Sequence, residues 1–122
     1  MAKTQEKTEG YRHIGVIGAG SWGTALALAA ARAGGRVTVW AREPEVVDSI
    51  ANRRENTLFL PGVSLPKDIA ASGDLAIAAR TDALLLVVPA QHLRSTLIEL
   101  APHLRRAMPA FLSAKGIELG SG

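Results

Sequence analysis

Six residues near the N-terminus form the pattern richest in chemistry: Gly18-Ala19-Gly20-Ser21-Trp22-Gly23. The spacing is G-x-G-x-x-G. With 12 glycines in 122 residues such a match arises readily by chance, so its flanks decide its worth. The apolar run 13–17 (HIGVI) precedes it, and the Ala- and Leu-rich stretch 21–33 follows. A glycine turn between a buried strand and a helix is a phosphate site. Gly18 permits the tight turn, Gly20 lets the backbone approach an anion with no Cβ between, and Gly23 lets the helix pack close to the strand. The unpaired N–H groups of the first helical turn and the helix dipole attract the negative charge. The three glycines are therefore expected to hold a dinucleotide by its pyrophosphate. A glycine turn with no ligand is the alternative.

Ser21 either donates its hydroxyl to a phosphate or serves as the helix N-cap. Trp22 is large for such a turn. It covers the cofactor or packs at a rim against a further domain. The residues after the second strand select the dinucleotide: a carboxylate there binds the ribose 2′-OH of NAD, and an arginine suits the 2′-phosphate of NADP. Here Trp40 is followed by Ala41-Arg42-Glu43. Arg42 comes first and favours NADP, while Glu43 keeps NAD open. A plain surface role is the alternative for Arg42.

These residues need a scaffold, and the patterning supplies one. The spacing predicts a helix over 21–33, stopped by Gly34-Gly35, which tolerate a left-handed cap. The β-branched run 36–40 reads as a strand. Glu43-Pro44-Glu45 opens a helix over roughly 44–54, with acids where the dipole favours them. A loop punctuated by Pro61, Gly62 and Pro66 follows, then a short strand over 69–72 and a short helix over 74–80. The uniformly apolar run 83–88 reads as a central strand covered on both faces, ended by Pro89. A helix over 91–104 aligns Leu93, Leu97, Leu100 and Leu104. A last strand covers 109–114 and leads to Lys115-Gly116. Such alternation implies an α/β fold: a Rossmann-type, doubly wound, mostly parallel sheet with helices on both faces. This domain is expected to span 12–122, after a polar, mobile tail over 1–11. Because the sequence stops at Gly120-Ser121-Gly122, just after a strand, it reads as a fragment.

Composition fits this scaffold. With 48% hydrophobic and 20% charged residues, the chain can bury a core. The formal charge of +3 is spread, with adjacent basic pairs only at Arg53-Arg54 and Arg105-Arg106. Those pairs read as solvated helix ends and loops, and no nucleic-acid partner is expected. The absence of Cys removes disulfides, thiolate metal sites and a Cys nucleophile, and is compatible with the expected cytoplasmic location. No apolar run reaches the roughly 18 to 20 residues of a membrane span. His13, His92 and His103 lack metal spacing, so no metal site is expected. His13 and His103 read as surface residues, and His92 starts a helix near the site. Asp74 and Asp82 read as caps.

Four segments together resemble NAD(P)-dependent glycerol-3-phosphate dehydrogenase of the bacterial type. They are residues 18–27 (GAGSWGTALA), Asn52-Arg53-Arg54 with Leu60-Pro61-Gly62, Val88-Pro89-Ala90-Gln91, and residues 113–118 (SAKGIE). Order and spacing match across residues 13–118. The resemblance implies interconversion of sn-glycerol 3-phosphate and dihydroxyacetone phosphate with NAD or NADP, which supplies the backbone of phospholipids. It also implies a helical C-terminal domain, absent from this chain, that carries the general base and most substrate ligands. A homodimer is expected of the full-length enzyme. The isolated 122 residues are expected to turn over little or no substrate.

By this resemblance Ser21, Trp22 and Arg42 match cofactor contacts. Lys115 matches a lysine placed at both cofactor and substrate and is the one catalytic residue assigned. Its place after the last strand agrees, since ligands of doubly wound sheets bind beyond the strands' carboxyl ends. An ammonium there stabilises a developing alkoxide or holds substrate oxygens. A solvated loop lysine is the alternative. Pro89 lines the nicotinamide side. The family more often has Ser at position 90, so no hydroxyl role is assigned to Ala90. Phe59 stands where the family often has Tyr or His, and either flanks the cofactor or packs its own loop. Two rival readings are a non-catalytic dinucleotide module and the front half of another two-domain reductase, such as a ketopantoate or 6-phosphogluconate enzyme. Against the latter stand the KGIE segment and the LPG loop.

Overall fold

The computed structural model describes residues 12–105 and 108–112. The expected tail over 1–11 and the final residues, Lys115 among them, lie outside the described residues. Five strands form one sheet: β1 (His13–Ile17), β2 (Arg36–Trp40), β3 (Ile69–Ser72), β4 (Ala83–Leu86) and β5 (Ala110–Leu112). Their order is β3-β2-β1-β4-β5 and every pairing is parallel. The chain walks outward from β1 to β3, then crosses back to β4 on the other side of β1. The helices are α1 (Ser21–Arg32), α2 (Pro44–Arg53), α3 (Leu75–Ala78) and α4 (Ala90–Leu100).

The two faces of the sheet hold separate cores. On one face Val16, Val37 and Val39 pack with Ala27 and Ala31 of α1 and with Val46 and Ile50 of α2. On the other, Ile17, Trp40, Leu84 and Leu86 pack with Leu75 and Ala78 of α3 and Leu100 of α4. Alternation along β2 divides Val37 and Val39 from Trp40, as a strand's period of two requires. The small alanines of α1 let that helix lie close to the sheet. Gly34 (φ +103) ends α1, and the Gly34 and Gly35 amides donate to Ala31 and Ala30 carbonyls at 3.0 and 3.2 Å. That pattern is a Schellman cap.

Element ends differ from the sequence expectations for identifiable reasons. β4 stops at Leu86 rather than at residue 88 because its partner β1 turns away at Gly18. The helix expected over 74–80 is only α3, with Asp74 capping the Ala76 amide at 2.9 Å. Thr81 Oγ1 donates to the Ala78 carbonyl at 3.0 Å, a side-chain bond that competes with continuing the helix. The helix expected to 104 ends at Leu100 and continues as a 3₁₀ turn over Ala101–His103. Pro102 has no N–H and its ring would meet the carbonyl four residues back. The leucine stripe is accordingly split: Leu100 is buried, while Leu97 and Leu104 are exposed. Of the strand expected over 109–114, β5 forms Ala110–Leu112, and residues 113–114 lie outside the described residues.

Three charged or polar side chains do more than expected. Arg54, read as solvated, is the C-cap of α2 in a left-handed conformation (φ 54°). Its guanidinium reaches the carbonyls of Ile50 (3.2 Å), Leu65 (3.4 Å), Ile69 (2.5 Å) and Pro66. It thereby staples the loop 55–68 at both ends, through charge-assisted bonds. Asp82 is not a helix cap: its carboxylate accepts the His13 amide at 2.9 Å and ties the start of β1 to the turn before β4. His13 is not a free surface residue. Its Nε2 lies 2.7 Å from Thr38 Oγ1, and Arg36 approaches Nδ1 at 3.5 Å.

Burial and then the Arg36 charge lower the His13 pKa below 6.5, against an opposing pull from Asp82. The folded state therefore favours the neutral ring. As pH falls below the unfolded pKa, the unfolded chain binds the proton first, so folding stability declines until the lowered folded value is passed. Urea unfolding between pH 7.5 and pH 5 is expected to show this decline. His13→Gln, which keeps a polar partner for Thr38, is expected to flatten it.

Candidate functional site

At the carboxyl end of β1 the chain reverses direction and enters α1 within three residues. Gly18 makes the turn with φ +123°, and a Cβ on it would lie 2.9 Å from the Val87 carbonyl oxygen. Its amide donates to the Trp40 carbonyl at 3.0 Å. Gly23, in the first turn of α1, sits directly against that turn: a Cβ there would lie 2.1 Å from the Gly18 oxygen. Both glycines are demanded by the protein's own packing.

Gly20 differs. Its backbone (φ −70°, ψ −173°) is open to any residue, and a Cβ there would meet no protein atom within 4 Å. Packing alone therefore explains Gly18 and Gly23 and leaves Gly20 unexplained. Gly20, not Ser21, is the N-cap of α1, and no side chain caps this terminus. The N-cap alternative for Ser21 is thus corrected: a non-helical residue is needed at the cap, and Ser21 already belongs to the helix. Its exposed side chain borders the space in front of Gly20.

That space is a cleft of about 380 Å³ at the switch point, where β1 and β4 end side by side. Gly18, Gly20, Ser21, Trp22 and Gly23 form one wall. Arg42 stands at the end of β2, Phe59 comes from the loop after α2, and Pro89 stands where β4 gives way to α4. The structure thus gathers every expected cofactor residue within the described chain into one cleft. Lys115 alone lies outside the described residues.

Glu43, the carboxylate that keeps NAD open, also lines the cleft, as do Trp40, Val87, Val88 and His92, none of which was singled out as a contact from the sequence. The Arg42 guanidinium carbon lies 5.5 Å from the Trp40 ring centroid, and its Nη2 donates to Thr96 Oγ1 at 3.2 Å. Trp40 is itself anchored, its Nε1 donating to the Gly73 carbonyl at 3.0 Å. Arg42 is therefore an exposed cation tethered at the β2 end of the cleft. Positive potential at one end comes from Arg42, and at the other from the uncapped terminus of α1. Behind the turn, Asn56 is fully buried and bonded to Ala19 and Thr24 at 2.8 Å each. Sequence reasoning missed it, because a polar residue in a loop reads as solvent-facing.

The two kinds of glycine predict opposite stability effects. Gly23→Ala forces backbone atoms apart and is expected to cost at least about 1–3 kcal/mol. Gly20→Ala is expected to cost no more than about 1 kcal/mol, the scale of a weakened cap. Urea midpoints of the two variants check the contrast.

A model of the N-terminal part of NAD-dependent glycerol-3-phosphate dehydrogenase matches residues 13–122. The glycerol-3-phosphate dehydrogenase [NAD(P)+] of Parvibaculum lavamentivorans is 56% identical over 111 residues, covering 91% of this chain and 33% of the relative. That of Paramagnetospirillum magneticum is 56% identical over 110 residues, covering 90% of this chain and 40% of the relative. Among solved structures, glycerol-3-phosphate dehydrogenase from Coxiella burnetii superposes with a TM-score of 0.81 at 30% identity. The match covers 85% of this chain and 32% of that one. The chain spans about a third of the length of most of the curated relatives it matches. The rival reading of a front half from some other reductase falls with these matches. A parallel sheet with its cleft at the switch point, a bare glycine facing that cleft and a family match over residues 13–122 agree, and the chain belongs to the NAD-dependent glycerol-3-phosphate dehydrogenase family as its N-terminal, nucleotide-binding part.

Proposed function

We propose that the cleft binds NAD or NADP with the pyrophosphate against Gly20, and that the complete protein interconverts sn-glycerol 3-phosphate and dihydroxyacetone phosphate. The observation that carries this reading is Gly20: nothing in the fold requires a glycine there, and the space a Cβ would fill opens into the cleft. The donors present suit the group: backbone amides of an uncapped helix start for the phosphates, Arg42 for a 2′-phosphate, and apolar Val88 and Pro89 for a ring. When bound, the nicotinamide supplies the hydride exchanged with substrate C2. The protein's share is to orient the ring, exclude water and compensate charge.

Arg42 favours NADP in this reading, because its tethers to Trp40 and Thr96 order the guanidinium before any ligand arrives. Trp22 and Phe59 flank the bound cofactor. Lys115 holds the substrate oxygen and stabilises the alkoxide that forms at C2. A helical domain beyond this segment closes the site and supplies the general base or acid. The complete protein works as a homodimer in the cytoplasm, and its product feeds phospholipid synthesis.

The direct test is oxidation of NADH and NADPH by the complete protein with dihydroxyacetone phosphate as acceptor. No turnover with either cofactor overturns the assignment. Gly20→Ala is expected to weaken both cofactors by about tenfold or more, each tenfold being about 1.4 kcal/mol of lost binding. Arg42→Ala is expected to weaken NADPH by a similar factor and NADH little. An equal effect on the two removes the 2′-phosphate role.

A further inference from the structure

We propose that Asn56 is a positioning residue that aims the Gly20 amide into the cleft. Asn56 lies in the loop after α2, 36 positions along the chain from Gly20, yet it is 0% exposed. Its Nδ2 donates to the Ala19 carbonyl and to Thr24 Oγ1, each at 2.8 Å, and its Oδ1 accepts the Phe59 amide at 3.0 Å. Thr24 Oγ1 donates in turn to the Ala19 carbonyl at 3.3 Å. Two donors thus draw the Ala19 oxygen inward, away from the cleft.

The consequence follows from the planarity of the peptide bond. In a trans peptide the C=O and the following N–H point in opposite directions. The described chain contains no cis peptide bond. An Ala19 oxygen held inward therefore leaves the Gly20 N–H directed outward, where no Cβ shields it. Without Asn56 only the longer Thr24 bond would hold that oxygen, and the peptide could rotate. Turned about, it would present a carbonyl to an incoming phosphate, and repulsion would replace a hydrogen bond. The same carboxamide fixes the Phe59 backbone, so one buried side chain sets both the phosphate wall and the facing wall of the cleft. Thr24 and Asn56 spend their polar capacity on this arrangement, in a core that leaves no buried side-chain polar atom unpartnered among the described residues.

This inference rests on the reading that pyrophosphate sits at Gly20, and the experiment separates the two. The complete protein, labelled with [15N]glycine, is titrated with NADH as parent and as Asn56→Asp. The aspartate matches the asparagine in shape but has no N–H to donate. In the parent, the Gly20 amide is expected to exchange rapidly with solvent before NADH, and to shift downfield and become protected on binding. In Asn56→Asp, NADH is expected to bind about tenfold or more weakly, with kcat at saturating cofactor little changed, the mark of lost uniform binding. The Gly20 amide is expected to lose its downfield shift. A merely structural role would not single out that amide.

A parent Gly20 amide indifferent to NADH sinks the pyrophosphate reading, and this inference with it. A responsive parent with an Asn56→Asp protein that binds NADH normally, or binds it weakly while keeping the Gly20 shift, overturns the inference alone. If Asn56→Asp does not fold, the parent decides: a Gly20 amide already protected from exchange without cofactor contradicts the outward orientation.

Discussion

The carbonyl of Gly18 touches Gly23, and no side chain larger than hydrogen fits between them. This contact lets α1 begin directly above the end of β1 instead of several ångströms away. The rest of the site follows from it. The helix start points at the crevice between β1 and β4, and its alanine face comes down onto Val16, Val37 and Val39. A Cβ at position 23 would lift the helix and separate the binding turn from the core that anchors it. The same crowding fixes φ at Gly18, where the left-handed region and the nearby Val87 carbonyl both exclude a side chain. Strand, turn and helix are thus one rigid piece, to which ligand-facing groups are added without disturbing the packing.

Around that piece the loop after α2 acts as a second, separately built element. Arg54 binds carbonyls at both ends of it, and Asn56 fastens its inner side to the glycine turn. The loop therefore contributes Phe59 to the cleft from a fixed position although it contains no helix or strand. Opposite it, the Arg42, Trp40 and Thr96 contacts join the end of β2 to α4 across the second face of the sheet. The sheet is least covered at its β5 edge, where Phe111, in register with Leu85, and Leu112, in register with Leu86, point to opposite faces and are both exposed.

Much of this was legible in the sequence, because the signals were local. Five strands and four helices follow from apolar runs and their glycine and proline punctuation, and Gly34 stops α1 as its position implied. The glycine spacing, Arg42 after β2 and Pro89 after β4 mark positions that line one cleft. The readings that failed concern residues whose partners are distant in sequence. Arg54 looked like a solvated helix end, His13 like a surface residue and Asp82 like a cap. Each is bonded to at least one group 15 or more positions away. The end of α4 at Leu100 is a different kind of miss, since Pro102 was there to be read.

By itself the sequence determined the type and order of the elements and the place of the glycine turn between the first strand and the first helix. Backbone preference and hydrophobic period act over a few residues and need no knowledge of the rest of the chain. Only the tertiary structure decided the strand order β3-β2-β1-β4-β5, which places the ends of β1 and β4 side by side. It alone separated the glycines required by packing from the one left bare, because that distinction depends on atoms of Val87 and Gly18 brought close by folding. It alone revealed Asn56 beneath the turn. A loop asparagine becomes a buried anchor through three hydrogen bonds, two of them to groups over 30 positions away, and no local pattern encodes that encounter.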